Sequence, residues 1–206
     1  MKLDVYFVDA FTDKVFSGNP AAVIFTDIDD ENLMQKIAFE NNLSETAFIN
    51  TNQDTYYIRW FSPIKEVDLC GHATLASAYI YFNYINKDED KVSFMSASGE
   101  LSVRKTDDLY ELDFPKDNLK KIDMTDQVED CIGVKPIETF IGDINLFALL
   151  DNEETLKTLK PNFSKLINLE GQGLIVSSQS NEYDFVSRYF CPKFGINEDP
   201  VTGSAH

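Results

Sequence analysis

Positive charge is scarce in this 206-residue sequence. There are 18 Lys and Arg residues against 35 Asp and Glu residues, which gives a formal net charge of −17 at pH 7. Nucleic-acid binding relies on clustered Lys and Arg side chains that neutralise phosphates, so this balance argues against a nucleic-acid partner. It argues equally against docking on an anionic membrane surface. The simplest interpretation of the excess acid is a solubilising surface.

Long apolar runs are also missing. No stretch approaches the roughly 18 uncharged apolar residues of a membrane span. Asp4 interrupts the region where a signal peptide would be apolar. We therefore expect a cytoplasmic protein without a membrane partner. The chain is nevertheless 43% hydrophobic, which is enough apolar material for a sizeable core.

Cysteine and histidine are few. The three cysteines, Cys70, Cys131 and Cys191, are scattered and odd in number, which fits free thiols in a reducing compartment better than a disulfide framework. With two histidines, His72 and His206, and no closely spaced cysteine pair, we expect no structural zinc site. Glycine-rich motifs for phosphate or dinucleotide binding are lacking too, so no cofactor is inferred.

The apolar pattern of the first half predicts a sheet with two helices. Asp29 and Asp30 can cap a helix over 31–41. The segment 73–85 carries no charge and begins with small residues, so it predicts a helix that is covered on all sides. A sheet curled around this helix fits the pattern better than a helix on an open sheet. Strands are predicted over 3–8, 22–25, 46–50, 55–61, 91–97, 100–105 and 109–114.

The second half is predicted to begin near Asp117, after a polar stretch. Its residues 203–206 echo residues 71–74, and each segment follows an acidic residue. By analogy, a second central helix and its closing strands would follow His206, so we expect either a fragment or an incomplete second half. A helix is predicted between 152 and 169, and strands over 139–141, 146–150, 174–178 and 185–191.

Four blocks of sequence carry a resemblance to a known family. They are Val8-Asp9-Ala10-Phe11-Thr12 with Gly18-Asn19-Pro20-Ala21-Ala22-Val23, Leu43-Ser44-Glu45-Thr46-Ala47-Phe48, Cys70-Gly71-His72-Ala73-Thr74, and Glu198-Asp199-Pro200-Val201-Thr202-Gly203-Ser204. In this order they resemble the PhzF-like phenazine-biosynthesis isomerase family, whose fold is similar to that of diaminopimelate epimerase.

The resemblance implies an α+β fold with two pseudo-symmetric halves, each a curled sheet around a central helix, and an active site in the cleft between them. The first half would span 1–116, with its central helix near 72–86. The second would span 117–206 and be incomplete, lacking its central helix and closing strands.

The resemblance also implies three catalytic residues. Glu45 matches the family's acid/base residue, which takes a proton from carbon in a small cyclic substrate and returns it to another atom without a cofactor. That role needs partial burial, which raises the pKa of a carboxyl group toward working pH. His72 matches a family active-site histidine, and Asp199 matches a partner residue on the opposite half. Taken singly, each residue also has a structural interpretation, as a solvated carboxylate, a helix cap and a turn residue respectively.

Four further residues are expected to bind the anionic end of a substrate. Gly71 and Ala73 offer backbone N–H groups at the start of the central helix. Gly203 and Ser204 match the corresponding position of the second half, although Ser204 could equally be a plain helix cap. No metal ligand is expected. Cys70 lies where epimerase relatives carry one of two catalytic thiols, but the second half has no matching thiol, so we expect a small buried residue.

The sequence therefore predicts a cofactor-independent isomerase that moves a proton within a small carboxylate-bearing substrate, with a homodimer as a possible assembly. In phenazine producers that substrate is a dihydro-hydroxyanthranilate. Two alternatives stay open. An amino-acid epimerase or racemase would need a thiol facing Cys70. A truncated paralogue without catalysis would serve as a binding or assembly subunit.

Overall fold

A curled sheet surrounds one helix in the first half of the chain. The computed structural model describes residues 2–51, 55–114 and 116–205, in two units, Met1–Phe114 and Pro115–His206. The helices of the first unit are α1 (Glu31–Asn41) and α2 (Gly71–Ile80), and its strands are β1 (Tyr6–Ala10), β2 (Asn19–Thr26), β3 (Glu45–Asn50), β4 (Tyr56–Phe61), β5 (Glu66–Val67), β6 (Lys91–Ser96), β7 (Gly99–Thr106) and β8 (Leu109–Asp113).

The strand order explains how the sheet closes. It runs β1-β2-β3-β4-β6-β7-β8, with β5 beside β4, and the pairs β2–β3 and β4–β6 are parallel. Both outer strands, β1 and β8, contact α2. A sheet whose two edges meet the same helix must curl around it, as the uncharged segment predicts.

Small side chains let the strands approach α2 closely. Ala73, Ala76 and Ala78 are each at most 1% exposed and belong to the main apolar core of the unit. The hydroxyls of Thr74 and Ser77 donate to backbone carbonyls one turn earlier, at 2.6 and 2.7 Å, so burial leaves neither hydroxyl unpaired. The helix can therefore be buried on nearly every side.

The ends of α2 differ from the prediction of a single helix over 73–85. The helix begins at Gly71, and its last turn, Tyr81–Ile85, is π-helical, with the Asn86 N–H donating to the Tyr81 carbonyl at 2.8 Å. Tyr81 and Phe82 are both buried in this turn. In the part of the chain that the structure describes, no helix combines the length and the apolar character that a bilayer crossing requires.

The opposite face of the sheet carries α1. Its predicted bounds, 31–41, are confirmed, and the Asp30 carboxylate caps it by accepting hydrogen bonds from two backbone N–H groups of the first turn, at 3.0 and 3.3 Å. Met34 and Ala38 pack against a separate apolar cluster that includes Phe48. Asn42, in the left-handed region at φ 52°, ends the helix and turns the chain toward β3.

The second unit is a sheet with helices on one face. Apolar side chains from three helices, among them Val128, Leu156 and Leu166, pack with Leu146 and Phe190 of the sheet. The strand order is β14-β13-β12-β11-β10-β9, in which β11 and β12 are parallel. The elements are β9 (Lys120–Ile122), α3 (Thr125–Ile132), β10 (Glu138–Ile141), β11 (Leu146–Leu149), α4 (Glu153–Thr158), α5 (Phe163–Leu166), β12 (Leu174–Gln179), β13 (Phe185–Phe190) and β14 (Glu198–Asp199), with 3-10 turns at Pro192–Phe194 and Gly203–Ala205.

Two sequence expectations for this unit need correction. The prediction of one helix between 152 and 169 is wrong, because Pro161 separates α4 from α5 and disfavours helical backbone at the residue before it. The elements β9, α3 and β14 were not predicted. The buried Val128, Cys131 and Ile132 have helical spacing, and Gly133 ends α3 at φ 77°, so a signal for this helix was available.

Replacing Ala76 with Leu is expected to destabilise the first unit by about 1–3 kcal/mol, because the extra methyl groups have no space between α2 and the sheet. Urea unfolding followed by the fluorescence of Trp60, which is buried in the same core, measures this. Ala97→Leu is the matched control, since Ala97 is exposed in the β6–β7 turn and should change stability by less than about 0.5 kcal/mol. Equal effects in the two variants would contradict the close packing of α2.

Candidate active site

Glu45 occupies the first position of β3. The strand runs parallel to β2, and Glu45 lies opposite Ala21 in register. The Asn41 amide donates to the Thr46 hydroxyl at 3.1 Å, which ties the end of α1 to the beginning of the strand. The Glu45 side chain is 20% exposed. A partly buried carboxylate on a fixed strand end suits acid/base work, as we expect for this residue.

His72 meets Glu45 from the helix side. It is the second residue of α2 and is 5% exposed. Its Nε2 lies 3.3 Å from the Glu45 Oε2. The contact lacks hydrogen-bond geometry, and Nε2 has no hydrogen-bond partner among the described residues. The start of α2 and the start of β3 therefore bring two of the predicted catalytic side chains into contact.

Burial governs the charge of His72. Loss of hydration lowers the pKa of the imidazole from 6.5 to about 4, and the nearby Pro20 backbone opposes this shift in part. His72 is therefore neutral near pH 7, with one ring nitrogen protonated and the other able to accept a proton. The contact with Glu45 joins a carboxyl group to a neutral imidazole and is not an ion pair at this pH.

Cys70 is the third member of the cluster. It is the N-cap residue of α2 and is 7% exposed, and its Sγ lies 3.5 Å from the Nδ1 of His72. One donor atom from each of Glu45, Cys70 and His72 lies within 4.8 Å of the other two. The sequence interpretation of a small buried residue describes the burial of Cys70 but misses its contact with the imidazole. The Cys-Gly-His spacing across a helix start is the signal that could have revealed it.

The first turn of α2 adjoins this cluster. Gly71 and Ala73, the predicted anion-binding residues of the first half, are both buried there. The first N–H groups of a helix have no carbonyl partner within it, and the helix dipole favours a negative charge at that end. The first turn of α2 contains no acidic residue that would compete for this position.

The remaining predicted site residues belong to the second unit. Asp199 ends β14, where its half-buried carboxylate accepts a hydrogen bond from the Thr202 hydroxyl. Gly203 and Ser204 form part of the 3-10 turn Gly203–Ala205, which the Ala205 N–H closes by donating to the Thr202 carbonyl at 3.2 Å. Asp199, Gly203 and Ser204 thus follow one another closely in this unit. His206 lies outside the described residues.

Tyr189 is a neighbour of Asp199 that sequence reasoning missed. The two residues are directly opposite in the antiparallel β13–β14 pair, so their side chains share one face of the sheet. The Tyr189 hydroxyl donates to the Asn145 side-chain carbonyl at 3.0 Å. Burial raises the pKa of Tyr189, and Cys191 and Asp199 add to the effect. Tyr189 therefore stays protonated and places a fixed, uncharged side chain beside Asp199.

Comparison with known proteins places these residues in a family context. A family model described as "Phenazine biosynthesis-like protein" matches residues 8–206. An uncharacterized isomerase of Pseudomonas aeruginosa is 43% identical over 208 residues, which cover 100% of this chain and 79% of the relative. The crystal structure of a phenazine biosynthesis protein of the PhzF family from Enterococcus faecalis is similar at a TM-score of 0.93 and 48% identity, over 100% of this chain and 80% of that chain.

A more distant structure extends the likeness of the fold. A probable proline racemase from Agrobacterium radiobacter matches at a TM-score of 0.55 and 11% identity, over 97% of this chain and 72% of that chain. At this identity the likeness concerns the fold alone. Together with the curled sheets, it confirms the predicted α+β class with a fold like that of the epimerases.

His72 should titrate near pH 4, because its buried site disfavours the charged imidazolium. Proton NMR of the imidazole checks this, and a His206→Asn variant assigns the resonance, since the chain has two histidines. The folded pKa lies below the unfolded value of 6.5, so the unfolded chain binds the proton more tightly. The folded state therefore keeps its full free energy of unfolding above pH 6.5. It loses stability as pH falls toward 4, by at most roughly 3 kcal/mol. A midpoint at or above 6.5 would contradict the assignment.

Proposed function

This chain belongs to the phenazine biosynthesis-like (PhzC-PhzF) family, and from that premise we propose that it moves a proton within a small carboxylate-bearing substrate by acid/base catalysis. Relatives that carry isomerase names support an isomerase in general. The finer proposal depends on one observation, the 3.3 Å approach of the Glu45 carboxylate to the buried, neutral His72.

Glu45 acts first in the proposed reaction. Its carboxylate removes a proton from a substrate carbon, and the electron pair of the C–H bond moves into the adjoining π system. Glu45 then returns the proton to another atom of the same molecule, so the product is an isomer and no electrons are exchanged with a partner. The position supports this role because the Glu45 side chain is held on a strand end and, at 20% exposure, is still accessible to a substrate.

His72 is proposed to assist from 3.3 Å away. A protonated histidine at that distance would stabilise the Glu45 carboxylate and make it a weaker base. The neutral imidazole avoids this loss of basicity and can still donate or accept a proton at a substrate atom. The low pKa of His72 is therefore part of the proposed mechanism.

The proposed binding groups for the anionic end of a substrate are backbone N–H groups and one hydroxyl. The backbone N–H groups of Gly71 and Ala73 suit a carboxylate beside the Glu45–His72 pair. In the second unit, we propose that Ser204 and the backbone of Gly203 bind a carboxylate, and that Asp199 holds an amine or hydroxyl group of the substrate. The hydrogen bond from Thr202 supports the role of Asp199 because it fixes the orientation of this carboxylate.

The test is incorporation of deuterium from heavy water into a dihydro-hydroxyanthranilate, followed by NMR or mass spectrometry. Glu45→Gln preserves the shape of the side chain and removes the base, so incorporation should fall by about 10²- to 10⁴-fold. Glu100→Gln is the matched control, since Glu100 is an exposed residue of β7 in the same unit, and it should label at the wild-type rate.

Each protein is first shown to unfold cooperatively, so that a loss of rate is not a loss of fold. Label in the wild type and in Glu100→Gln, but not in Glu45→Gln, is the expected result. Undiminished labelling by Glu45→Gln would remove Glu45 from the reaction. No labelling by a folded wild type would exclude this substrate.

A further inference from the structure

We propose that Glu45, Cys70 and His72 form a binding site for a single Zn²⁺ ion in the first unit. One donor atom from each residue, a carboxylate oxygen, a thiol sulfur and an imidazole nitrogen, lies within 4.8 Å of the other two. Within residues 2–51, 55–114 and 116–205, this is the one such group of three possible ligands. Zinc accepts a carboxylate, a thiolate and an imidazole together as ligands, whereas magnesium and calcium do not.

One side chain must turn before the three donors can hold a single ion. Bond lengths of about 2.0–2.3 Å around a tetrahedral ion put neighbouring donor atoms roughly 3.3–3.8 Å apart. The Nε2 of His72 is already 3.3 Å from the Glu45 oxygen, and its Nδ1 is 3.5 Å from the Cys70 sulfur. Because one ring nitrogen binds one ion, either the carboxylate or the thiol must rotate toward the nitrogen that the other already faces.

The start of α2 fixes two of the three ligands. Cys70 and His72 sit two residues apart at the start of α2, so their backbones are held by a buried helix. Glu45 is 20% exposed and is the most accessible of the three, so its carboxylate is the ligand that we expect to turn toward the metal. Three protein ligands leave the fourth tetrahedral position to water, as in zinc sites that are open to solvent.

The thiol separates this site from a plain carboxylate–histidine pair. Zinc binds cysteine as the thiolate, so the Cys70 proton is released when the metal binds. Cys131 and Cys191 are also buried and free of disulfides, but neither belongs to a group of three possible ligands among the described residues. They are therefore internal controls for the chemistry of Cys70.

Occupation of this site has a consequence for catalysis, and that consequence alone rests on the proposed function. A Glu45 carboxylate that coordinates Zn²⁺ cannot accept a substrate proton, and a His72 that coordinates the ion loses its free lone pair. Zinc is therefore expected to inhibit the isomerase in proportion to its occupancy, and a strong chelator is expected to restore activity.

The binding test uses the whole chain without an affinity tag and needs no substrate. Zn²⁺ affinity is measured by competition with a chromophoric chelator, and Co²⁺ is added separately because a thiolate bound to Co²⁺ gives a charge-transfer absorption. The wild type should bind one equivalent of either metal and show that absorption. Cys70→Ser should lose the absorption and bind Zn²⁺ at least about 10- to 100-fold more weakly. Cys131→Ser should match the wild type.

Glu45→Gln provides a second variant that keeps the thiol. It should retain the Co²⁺ charge-transfer absorption but bind Zn²⁺ more weakly, since one of the three ligands is lost. Retention of full affinity by Cys70→Ser, or no stoichiometric binding by the wild type, would overturn the zinc site. Deuterium labelling is measured without metal. A failure of the zinc site would therefore not contradict the proposed isomerase, and a failure of labelling would not contradict the zinc site.

Discussion

The burial of one uncharged helix is the constraint on which the first unit depends. A helix without a polar face cannot lie on an open sheet, because one side would remain in water. In this chain, α2 is covered because β1 and β8, the two edges of the sheet, both reach it. The alanines at 73, 76 and 78 set how closely the strands can approach. The curl of the sheet is thus a consequence of the composition of a single segment.

The same burial produces the chemistry of the candidate site. Since α2 is buried from its first turn, His72 enters the interior and loses the hydration that would support a positive charge. A neutral imidazole has one nitrogen lone pair that is free of a proton, and either a substrate proton or a metal ion can use it. The proposed proton transfer and the proposed metal binding therefore both use the uncharged ring, whose lone pair burial keeps free of a proton near pH 7. Which of these two processes occurs depends on whether a substrate or a metal ion occupies the site.

Much of this arrangement could be predicted from the sequence, and the reasons differ between elements. The Asp30 cap and the apolar stripe of α1 are local signals, so both ends of that helix were correct. The curl around α2 followed from the absence of charge over 73–85. Pro161 is a sequence signal for the break between α4 and α5, but the periodicity on either side of it favoured one continuous helix. The contact between Cys70 and His72, by contrast, depends on side-chain directions at a helix start, which the Cys-Gly-His spacing suggests but does not determine. The depth at which His72 is buried likewise cannot be predicted from a local pattern, because it depends on strands of the whole sheet.

The closure of the sheet around α2 also bears on how the chain reaches its native state. During synthesis α2 leaves the ribosome before β6, β7 and β8, the strands that complete its cover. Until those strands arrive, a helix rich in alanine and tyrosine faces water with no charge to keep it apart from other chains. Contacts between such distant segments form slowly, because the loop-closure entropy is lost before the contacts are gained. The uncharged helix that gives the folded unit its core thus makes the partly synthesised chain the form most exposed to aggregation. A chaperone would matter most at that stage.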